Sequence, residues 1–493
     1  MSNEILFIIG SIIVLITGIL LINIIIRQTR INTNIARKFL HVTAGMLSSI
    51  ALFVIKNINV LITTSIIILF FLIVLSYFNK NGKYYFKITM GMIYFTLSYI
   101  VLLIFYGDVY REIIAISMLI MSFSDSIAAI FGSYLSTSYY NLSGEKKSIL
   151  GSVTFFISTF FILIIAPVYT QIFYVLTFNL HYNLIIAFIL SLQLTLIEGL
   201  SSKGTDNIFV PIYSSLFLFF IINPVNTIVI ENYLIGMVLS LIVVLLSIKV
   251  RFLTISGGVA TFLLANTIFG FGGLKWTIPI LTFFILSSLL SKIKTRNKES
   301  AETYYDKTGV RDYKQVFANG GVAGVFVVLN SINPNELYFL MYVVFLATVC
   351  SDTWSTEIGT LFNSNTYNII NLKQVIQGVS GGISFIGTFG GILGAIIIIL
   401  VSISFTSFSF YFFFLIILIS SFLGNITDSV MGATLQAGFN CTVCGKNTER
   451  KVHCGKQSNH TKGIIYITND IVNFCAGLFS VFISIIIYYL IFI

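Results

Sequence analysis

Charged residues are scarce in this sequence, at 9% of 493 residues, whereas a soluble domain carries about 25%. This scarcity excludes a soluble globular protein. Strict alternation of apolar and polar residues, the pattern of membrane β-strands, is also missing, since runs such as residues 395–400 are continuously apolar. No small-residue cleavage site follows the first apolar stretch, so we expect that stretch to be an anchor and not a removed signal peptide.

Long apolar runs take the place of charge, and hydrophobic residues make up 57% of the chain. Many runs exceed the ~18 residues that cross a bilayer as a helix. Helices satisfy their own backbone hydrogen bonds, as a chain in lipid must. The sequence therefore predicts an all-α, polytopic integral membrane protein with about sixteen transmembrane helices.

Basic residues separate by side when the predicted spans are counted along the chain. Nearly all of the 28 lysines and arginines fall in alternate loops, and the exceptions are Lys56, Arg111 and Lys275. The positive-inside rule places the basic loops, and with them the active face, in the cytoplasm of a protein embedded in the cell membrane. The net charge of +10 suits anionic headgroups or phosphates and does not indicate nucleic acid.

Short motifs recur in the same order in both halves of the chain. A Ser-Asp pair in residues 124–126 corresponds to one in residues 351–353, and a polar motif in residues 205–207 corresponds to one in residues 468–470. Shared order and sidedness indicate two parallel repeats of about eight spans each. The predicted domains are residues 1–223 and 224–493.

Acidic residues lie at the cytoplasmic ends of predicted spans in both repeats. Carboxylates at membrane depth are costly and usually face a functional cavity, although any single one is also explained as a solvated interfacial acid. Carboxylate oxygens bind Mg²⁺, which bridges phosphate oxygens. The predicted Mg²⁺ ligands are Asp125, Glu198 and Asp206 in the first repeat and Asp352, Glu357, Asp428 and Asp470 in the second.

Glycine, serine and basic residues accompany these acids. Glycines let backbone N–H groups approach an anion at a helix N-terminus, and basic groups offset charge in phosphoryl transfer; close helix packing is the alternative for the glycines. The predicted phosphate-binding residues are Arg37, Lys38, Lys146, Ser148, Gly151, Asn319, Gly320, Gly381, Gly382, Ser384 and Gly387. The predicted catalytic residues are Asp125, Asp352, His41 and Lys147.

His41 lies three residues after Lys38 in the first turn of the second span. It is either an interfacial histidine with a satisfied hydrogen bond or a group that contacts phosphate or handles a proton. The second repeat has Thr254 at this place, so the two repeats cannot share base chemistry there.

The five cysteines include one constellation, in the predicted loop 441–460. Disulfides are not expected in a reducing cytosol. Cys441 and Cys444, followed by His453 and Cys454, have a spacing that suits structural Zn²⁺. The fourth ligand is left open between His453 and His460, and a metal-free loop of reduced thiols is the alternative.

The first half resembles the phytol kinase and dolichol kinase group, relatives of phosphatidate cytidylyltransferase. The motifs that carry the resemblance are Arg37-Lys38-x-x-His41, Ser124-Asp125-Ser126, Lys146-x-Ser148-x-x-Gly151 and the segment from Glu198 to Asp206. Ser124 stands where the family has glycine. The resemblance implies an enzyme that phosphorylates an isoprenoid alcohol, with CTP or another NTP as donor and Mg²⁺ as cofactor.

The second half resembles the phytyl-phosphate kinase family, which also includes many uncharacterised multi-span membrane proteins. The motifs are Asn319-Gly320-Gly321, Ser351-Asp352-Thr353-Trp354 with Glu357, Gly381-Gly382-x-Ser384-x-x-Gly387, Asp428-Ser429 and Cys441-x-x-Cys444. This resemblance implies conversion of a prenyl monophosphate to the diphosphate, and so a fusion of successive salvage kinases. A cytidylyltransferase that forms a CDP-lipid, or a transporter of a lipid or phosphorylated solute, are the alternatives.

Overall fold

The structure is a computed structural model that describes residues 2–29, 33–78, 89–169, 180–222, 227–301 and 309–492. It is mostly helical and divides into two compact units, Met1–Ile230 and Glu231–Ile493. The predicted domain boundary at residues 223 and 224 lies outside the described residues. The boundary between the units falls in the first turn of a helix that begins at Thr227.

The first unit consists of apolar helices joined by short polar connections. One connection folds into an antiparallel hairpin of strands β1 (Tyr139–Asn141) and β2 (Lys146–Ser148). The helices are α1 (Ser2–Thr29), α2 (Thr33–Val54), α3 (Ile58–Phe78), α4 (Met90–Tyr106), α5 (Arg111–Leu119), α6 (Asp125–Tyr134), α7 (Ile149–Tyr169), α8 (Leu180–Leu200) and α9 (Asp206–Ile222).

The second unit has eight helices in its described residues. The first turn of one of them, α11, is held by the side chain of Thr254, which accepts a hydrogen bond from the backbone of Gly257 at 3.0 Å. The helices are α10 (Thr227–Lys249), α11 (Ile255–Lys292), α12 (Arg296–Ala301), α13 (Tyr313–Ile332), α14 (Glu336–Leu361), α15 (Phe385–Ser402), α16 (Phe410–Thr434) and α17 (Asn469–Phe492).

The helical fold class is confirmed for the body of the second unit, while its long loops contain short strands that the sequence did not predict. Strand β3 pairs with β4 and β5, β6 pairs with β7 and β10, and β8 pairs with β9, all antiparallel. Their polar residues and turn glycines favour hairpins over helix. The strands are β3 (Thr366–Asn368), β4 (Gln374–Val375), β5 (Gly382–Ile383), β6 (Gly438–Asn440), β7 (Asn447–Thr448), β8 (Val452–His453), β9 (Lys456–Gln457) and β10 (Asn459–Lys462).

Among the described residues, 10 helices are long and apolar enough to cross a membrane. Four further apolar helices are shorter: Glu4–Val14, Met90–Tyr106, Ile149–Ile165 and Asp206–Ile221. Helix α11 covers two predicted spans and is broken between them by Gly273, whose φ of 63° is left-handed. Multiple spanning helices are therefore confirmed, while the count of sixteen and the two repeats stay predictions.

Helix α14 is the centre of the second unit. Its side chains from Phe339 to Cys350 are almost entirely buried, and α11, α13, α15, α16 and α17 pack around it. Glycines permit the close approach of α15, because a side chain at Gly391 would meet Ser351 Oγ at 2.8 Å. Small residues allow membrane helices to pack at this distance. The packing fixes the position of Asp352, the next residue of α14.

Candidate functional site

A polar cluster in the first unit joins α2 to the start of α6. The ammonium group of Lys38 forms an ion pair with the carboxylate of Asp125. His41 Nε2 lies 3.7 Å from Asp125 Oδ2, and the His41 ring packs edge-on against Phe95 with 4.7 Å between ring centroids. The side chain of Asp125 is only 9% exposed. Arg37 is half-buried on the same helix as Lys38.

A π-helical turn immediately precedes Asp125. Residues Ile120–Ser124 form the turn between α5 and α6, and Thr159 Oγ1 donates to Ser124 Oγ at 3.0 Å. Such single π turns occur frequently at functional sites because they interrupt the regular helix and re-aim a side chain. Here the turn sets the direction of Asp125 relative to α2.

Lys147 connects this cluster to two more acids. Its ammonium group lies 2.5 Å from Glu198 Oε1 and also donates to the backbone carbonyl of Glu198. Asp206, the first residue of α9, interacts electrostatically with Asp125, Lys147 and Lys38. The structure therefore places the three acids and two lysines that the sequence singled out in one electrostatic network.

The start of α7 lies beside this network. Ser148 Oγ accepts a hydrogen bond from the backbone N–H of Gly151 at 3.0 Å. A side chain at Gly132 would meet Ser148 Oγ at 2.4 Å and Gly151 Cα at 3.2 Å, so only glycine fits at this crossing of α6 and α7. Lys146 is exposed on β2.

The second unit contains a cavity of about 940 Å³. It is lined by residues from seven helices and three loops, and it gathers all but one of the catalytic, phosphate-binding and Mg²⁺-binding residues predicted for that half. Those that line it are Asn319, Asp352, Glu357, Gly381, Gly382, Ser384, Gly387, Asp428 and Asp470. Gly320 faces Leu264 instead, where an added side chain would come within 2.6 Å of Leu264 Cδ2, as helix packing requires.

Two carboxyl groups meet in this cavity. Asp352 of α14 and Asp428 of α16 lie within hydrogen-bonding contact of one another. With its amide nitrogen turned toward α16, Asn473 donates to Asp428 Oδ2 at 3.0 Å. Two carboxyl groups in contact repel each other when both are ionised. The pair is therefore stabilised by a shared proton or by a cation.

Glu357 has a different environment. Lys298 Nζ lies 2.5 Å from Glu357 Oε2, and Ser291 Oγ donates to Glu357 Oε1 at 2.7 Å. Lys298 also donates to three carbonyls at the end of α11. Both oxygens of Glu357 are therefore engaged in joining α11 and α12 to α14, which favours a structural role over metal binding.

The serine and glycine residues before α15 repeat the geometry of the first unit. Ser384 Oγ accepts from the backbone N–H of Gly387 at 3.1 Å, and a side chain at Gly359 would meet Gly387 Cα at 3.1 Å. Gly359 follows Asp352 by seven residues, as Gly132 follows Asp125. Gly381 has a φ of +80° and lies against Ala433, so its backbone shape also requires glycine.

Four charged residues at the cavity were not predicted as site residues. They are Lys298, Arg311, Glu449 and Lys451. The Arg311 guanidinium lies over Phe283 at 5.3 Å, and burial lowers the pKa of Arg311 to about 10, which leaves it charged at neutral pH. The sequence marked Arg311 and Lys451 only as basic loop residues, and no spacing distinguished them from the others.

The cysteine-rich loop brings four predicted metal ligands together. The ligand atoms of Cys441, Cys444, His453 and Cys454 all lie within 4.8 Å of one another. His460 is not part of this group. It lies on β10 and packs against Phe439 with 5.5 Å between ring centroids.

The second unit is similar to known membrane proteins. Residues 238–481 match the profile of a family described as Integral membrane protein DUF92. Protein PGR of Arabidopsis thaliana is 27% identical over 273 residues, which are 50% of this chain and 93% of that protein. An uncharacterized membrane protein of Methanocaldococcus jannaschii is 29% identical over 188 residues, 38% of this chain and 76% of that protein.

Protein VTE6, chloroplastic, of Arabidopsis thaliana is 27% identical over 189 residues, which are 37% of this chain and 56% of that protein. No solved structure matches the chain. With the ten apolar helices, these matches identify an integral membrane protein whose second unit is similar to the DUF92 family.

Proposed function

We propose that the chain is a membrane enzyme with two successive kinase activities. The first unit transfers a phosphoryl group to an isoprenoid alcohol, and the second transfers one to the resulting monophosphate. The observation that carries the proposal is the geometry that both units repeat: an aspartate, a glycine seven residues later, and a serine-capped helix start packed against that glycine. The resemblance of the halves to two different prenyl-lipid kinase families supports the division.

The residues of the second unit fit Mg²⁺. Asp352 and Asp428 are in contact, and paired carboxylates of this kind suit a divalent cation, which would offset their mutual repulsion. These two residues would hold the ion. In the first unit Lys38 and Lys147 already balance Asp125 and Glu198, so Asp206 and Asp125, which interact electrostatically, are the residues that would hold an ion there. When bound, Mg²⁺ neutralises the charge of the phosphates.

Cationic and backbone groups that would bind phosphate accompany the acids in each unit. Arg311 and Lys451 line the cavity of the second unit together with the start of α15, where helix N–H groups attract anions. In the first unit, the corresponding groups for phosphate are Lys147 and the N-terminal end of α7. A nucleotide bound here would lose its γ-phosphoryl group to the acceptor oxygen, and CDP would leave when CTP is the donor.

The second cavity also suits a lipid. Phe422 and Ile426 of α16 line it, and both are more than one third exposed. An isoprenoid chain can lie against such apolar side chains while its phosphate reaches the charged groups. This combination of surfaces fits an amphiphilic acceptor better than a small soluble one.

His41 supports an alcohol as the acceptor substrate of the first unit. An alcohol must lose its proton when it attacks phosphorus, whereas a monophosphate is already ionised. His41 lies 3.7 Å from Asp125, and this pair can accept that proton. Thr254 at the corresponding place in the second unit caps α11 and cannot act as a base, as a phosphate acceptor permits.

The variant His41→Gln is expected to slow phosphorylation of the alcohol by ~10²-fold or more, since general-base catalysis contributes about that much. Phosphorylation of a supplied prenyl monophosphate should be unchanged. His460→Gln, which alters an exposed histidine of the loop, is the matched control for the chemical change. Equal activity of the His41 variant and wild type on the alcohol would exclude His41 as the base.

The product of the reaction tests the proposal itself. Purified protein in liposomes receives a prenol, Mg²⁺ and CTP labelled at either the γ- or the α-phosphorus. A kinase places only the γ label in the lipid and releases CDP. An α label in the lipid with release of pyrophosphate would identify a cytidylyltransferase, and an unlabelled lipid would favour a transporter.

The active face is proposed to be cytoplasmic. In intact cells, a membrane-impermeant thiol reagent should label Lys56→Cys and not Lys294→Cys. Both positions are exposed in the structure, and lysed cells provide the control for reactivity. Labelling of the Lys294 variant in intact cells would reverse the proposed topology.

A further inference from the structure

We propose that Cys441, Cys444, His453 and Cys454 bind one Zn²⁺, and that this ion holds Glu449 and Lys451 at the cavity of the second unit. Three thiolates and one imidazole are a ligand set of structural zinc sites, which are closed and tetrahedral. The metal site does not depend on the kinase proposal. Only its effect on the second phosphorylation rests on that function.

Distances in the cluster fit this geometry. Ligand atoms of a tetrahedral site with bonds of about 2.3 Å lie about 3.8 Å apart. His453 Nδ1 lies 3.5 Å from Cys444 Sγ and 3.2 Å from Cys454 Sγ. The backbone N–H of Val443 lies 3.4 Å from Cys441 Sγ, as a donor that would stabilise a bound thiolate. His453, and not His460, is therefore the fourth ligand.

The apolar core of the loop is small. Its strands are two to four residues long, and Phe439 is the large side chain buried among them. A segment of this size cannot bury enough apolar surface to be rigid without a staple such as a metal. Cys441 and Cys444 flank the turn before β7, while His453 and Cys454 lie at the turn after β8.

Glu449 and Lys451 lie in the chain between these two pairs of ligands, and both line the cavity. Glu449 Oε1 accepts hydrogen bonds from Ser380 Oγ at 2.5 Å and from Gln436 Nε2 at 2.8 Å. Ser380 directly precedes Gly381, which is one of the predicted phosphate-binding residues. Closing the metal site therefore fixes the segment that reaches the cavity wall: Glu449 acts as a positioning residue, and Lys451 is held at the cavity.

Metal analysis of the full chain, purified without added metal, tests the site. Wild type should contain about one zinc per chain, and Cys444→Ser and His453→Ala should lose it. His460→Ala and Cys475→Ser are matched controls that should keep it, because neither residue belongs to the cluster. His453→Cys should retain the metal, since a fourth thiolate replaces the imidazole. Zinc-free wild type, or loss of zinc in the His460 variant only, would overturn the assignment.

Limited trypsin digestion tests the positioning effect without any activity measurement. Cleavage after Arg450 and Lys451 should be slow in the zinc-loaded protein and at least ~10-fold faster in Cys444→Ser or after chelation, because local opening exposes the segment. His453→Cys should restore protection. Equal cleavage rates with and without metal would refute the positioning effect. Phosphorylation of prenyl monophosphate should fall in parallel with zinc content, while phosphorylation of the alcohol should not.

Discussion

Replacing Asp352 by Asn is expected to block conversion of a prenyl monophosphate to the diphosphate, with a loss of ~10²-fold or more. The change removes one of the two carboxylates that meet in the second cavity and keeps the size of the side chain. Phosphorylation of the alcohol should continue, so monophosphate should accumulate when the variant receives a prenol, a nucleotide and Mg²⁺. Thin-layer separation of labelled mono- and diphosphates measures both steps.

Asp428→Asn should give the same result, because it removes the other carboxylate of the pair. Glu336→Gln is the matched control on the same helix as Asp352. Glu336 pairs with Lys275 at 3.0 Å at the opposite end of α14, and its substitution should leave both steps unchanged. Full diphosphate formation by the Asp352 variant would remove the basis for placing the second reaction in this cavity.

Replacing Asp125 by Asn is expected to have the reverse effect. The ion pair with Lys38 and the contact with His41 both depend on the Asp125 carboxylate, so metal binding and base chemistry would be lost together. We expect phosphorylation of the alcohol to fall by ~10²-fold or more. Supplied monophosphate should still become diphosphate, as the same chromatographic assay will measure.

Glu112→Gln is the corresponding control, because Glu112 lies in the first turn of α5, away from the π turn that carries Asp125. Folding of each variant is checked by its thermal unfolding in detergent. If either aspartate variant loses both reactions while it remains folded, the two units build one composite site and the assignment of one reaction to each unit is wrong.

Composition and hydrophobic runs were sufficient to predict the membrane class and a mostly helical chain. They did not predict the π turn before Asp125, since it depends on packing between helices. Strands β1 to β10 were also not predicted. Strands of two to four residues are too short for an alternating pattern of apolar and polar residues to be recognised.

At the site, the order of the motifs predicted residues that the structure brings together, but it did not predict the contacts between them. The acids of the second repeat were expected to share one metal site, but Glu357 is held by Lys298 and Ser291. Contact between Asp352 and Asp428 requires the packing of α14 against α16, which no local spacing encodes. Arg311 was not predicted as a site residue, because the positive-inside rule already explained a basic residue in this loop.

Mixing the two aspartate variants in one membrane shows whether each unit completes one reaction by itself. Asp125→Asn and Asp352→Asn proteins are reconstituted separately and together in liposomes with a prenol, labelled CTP and Mg²⁺. Neither variant alone should form prenyl diphosphate from the alcohol, but the mixture should, because the monophosphate made by the Asp352 variant diffuses laterally to the Asp125 variant. Absence of diphosphate from the mixture, when each variant still performs its remaining step, would contradict independent sites joined by a diffusing lipid.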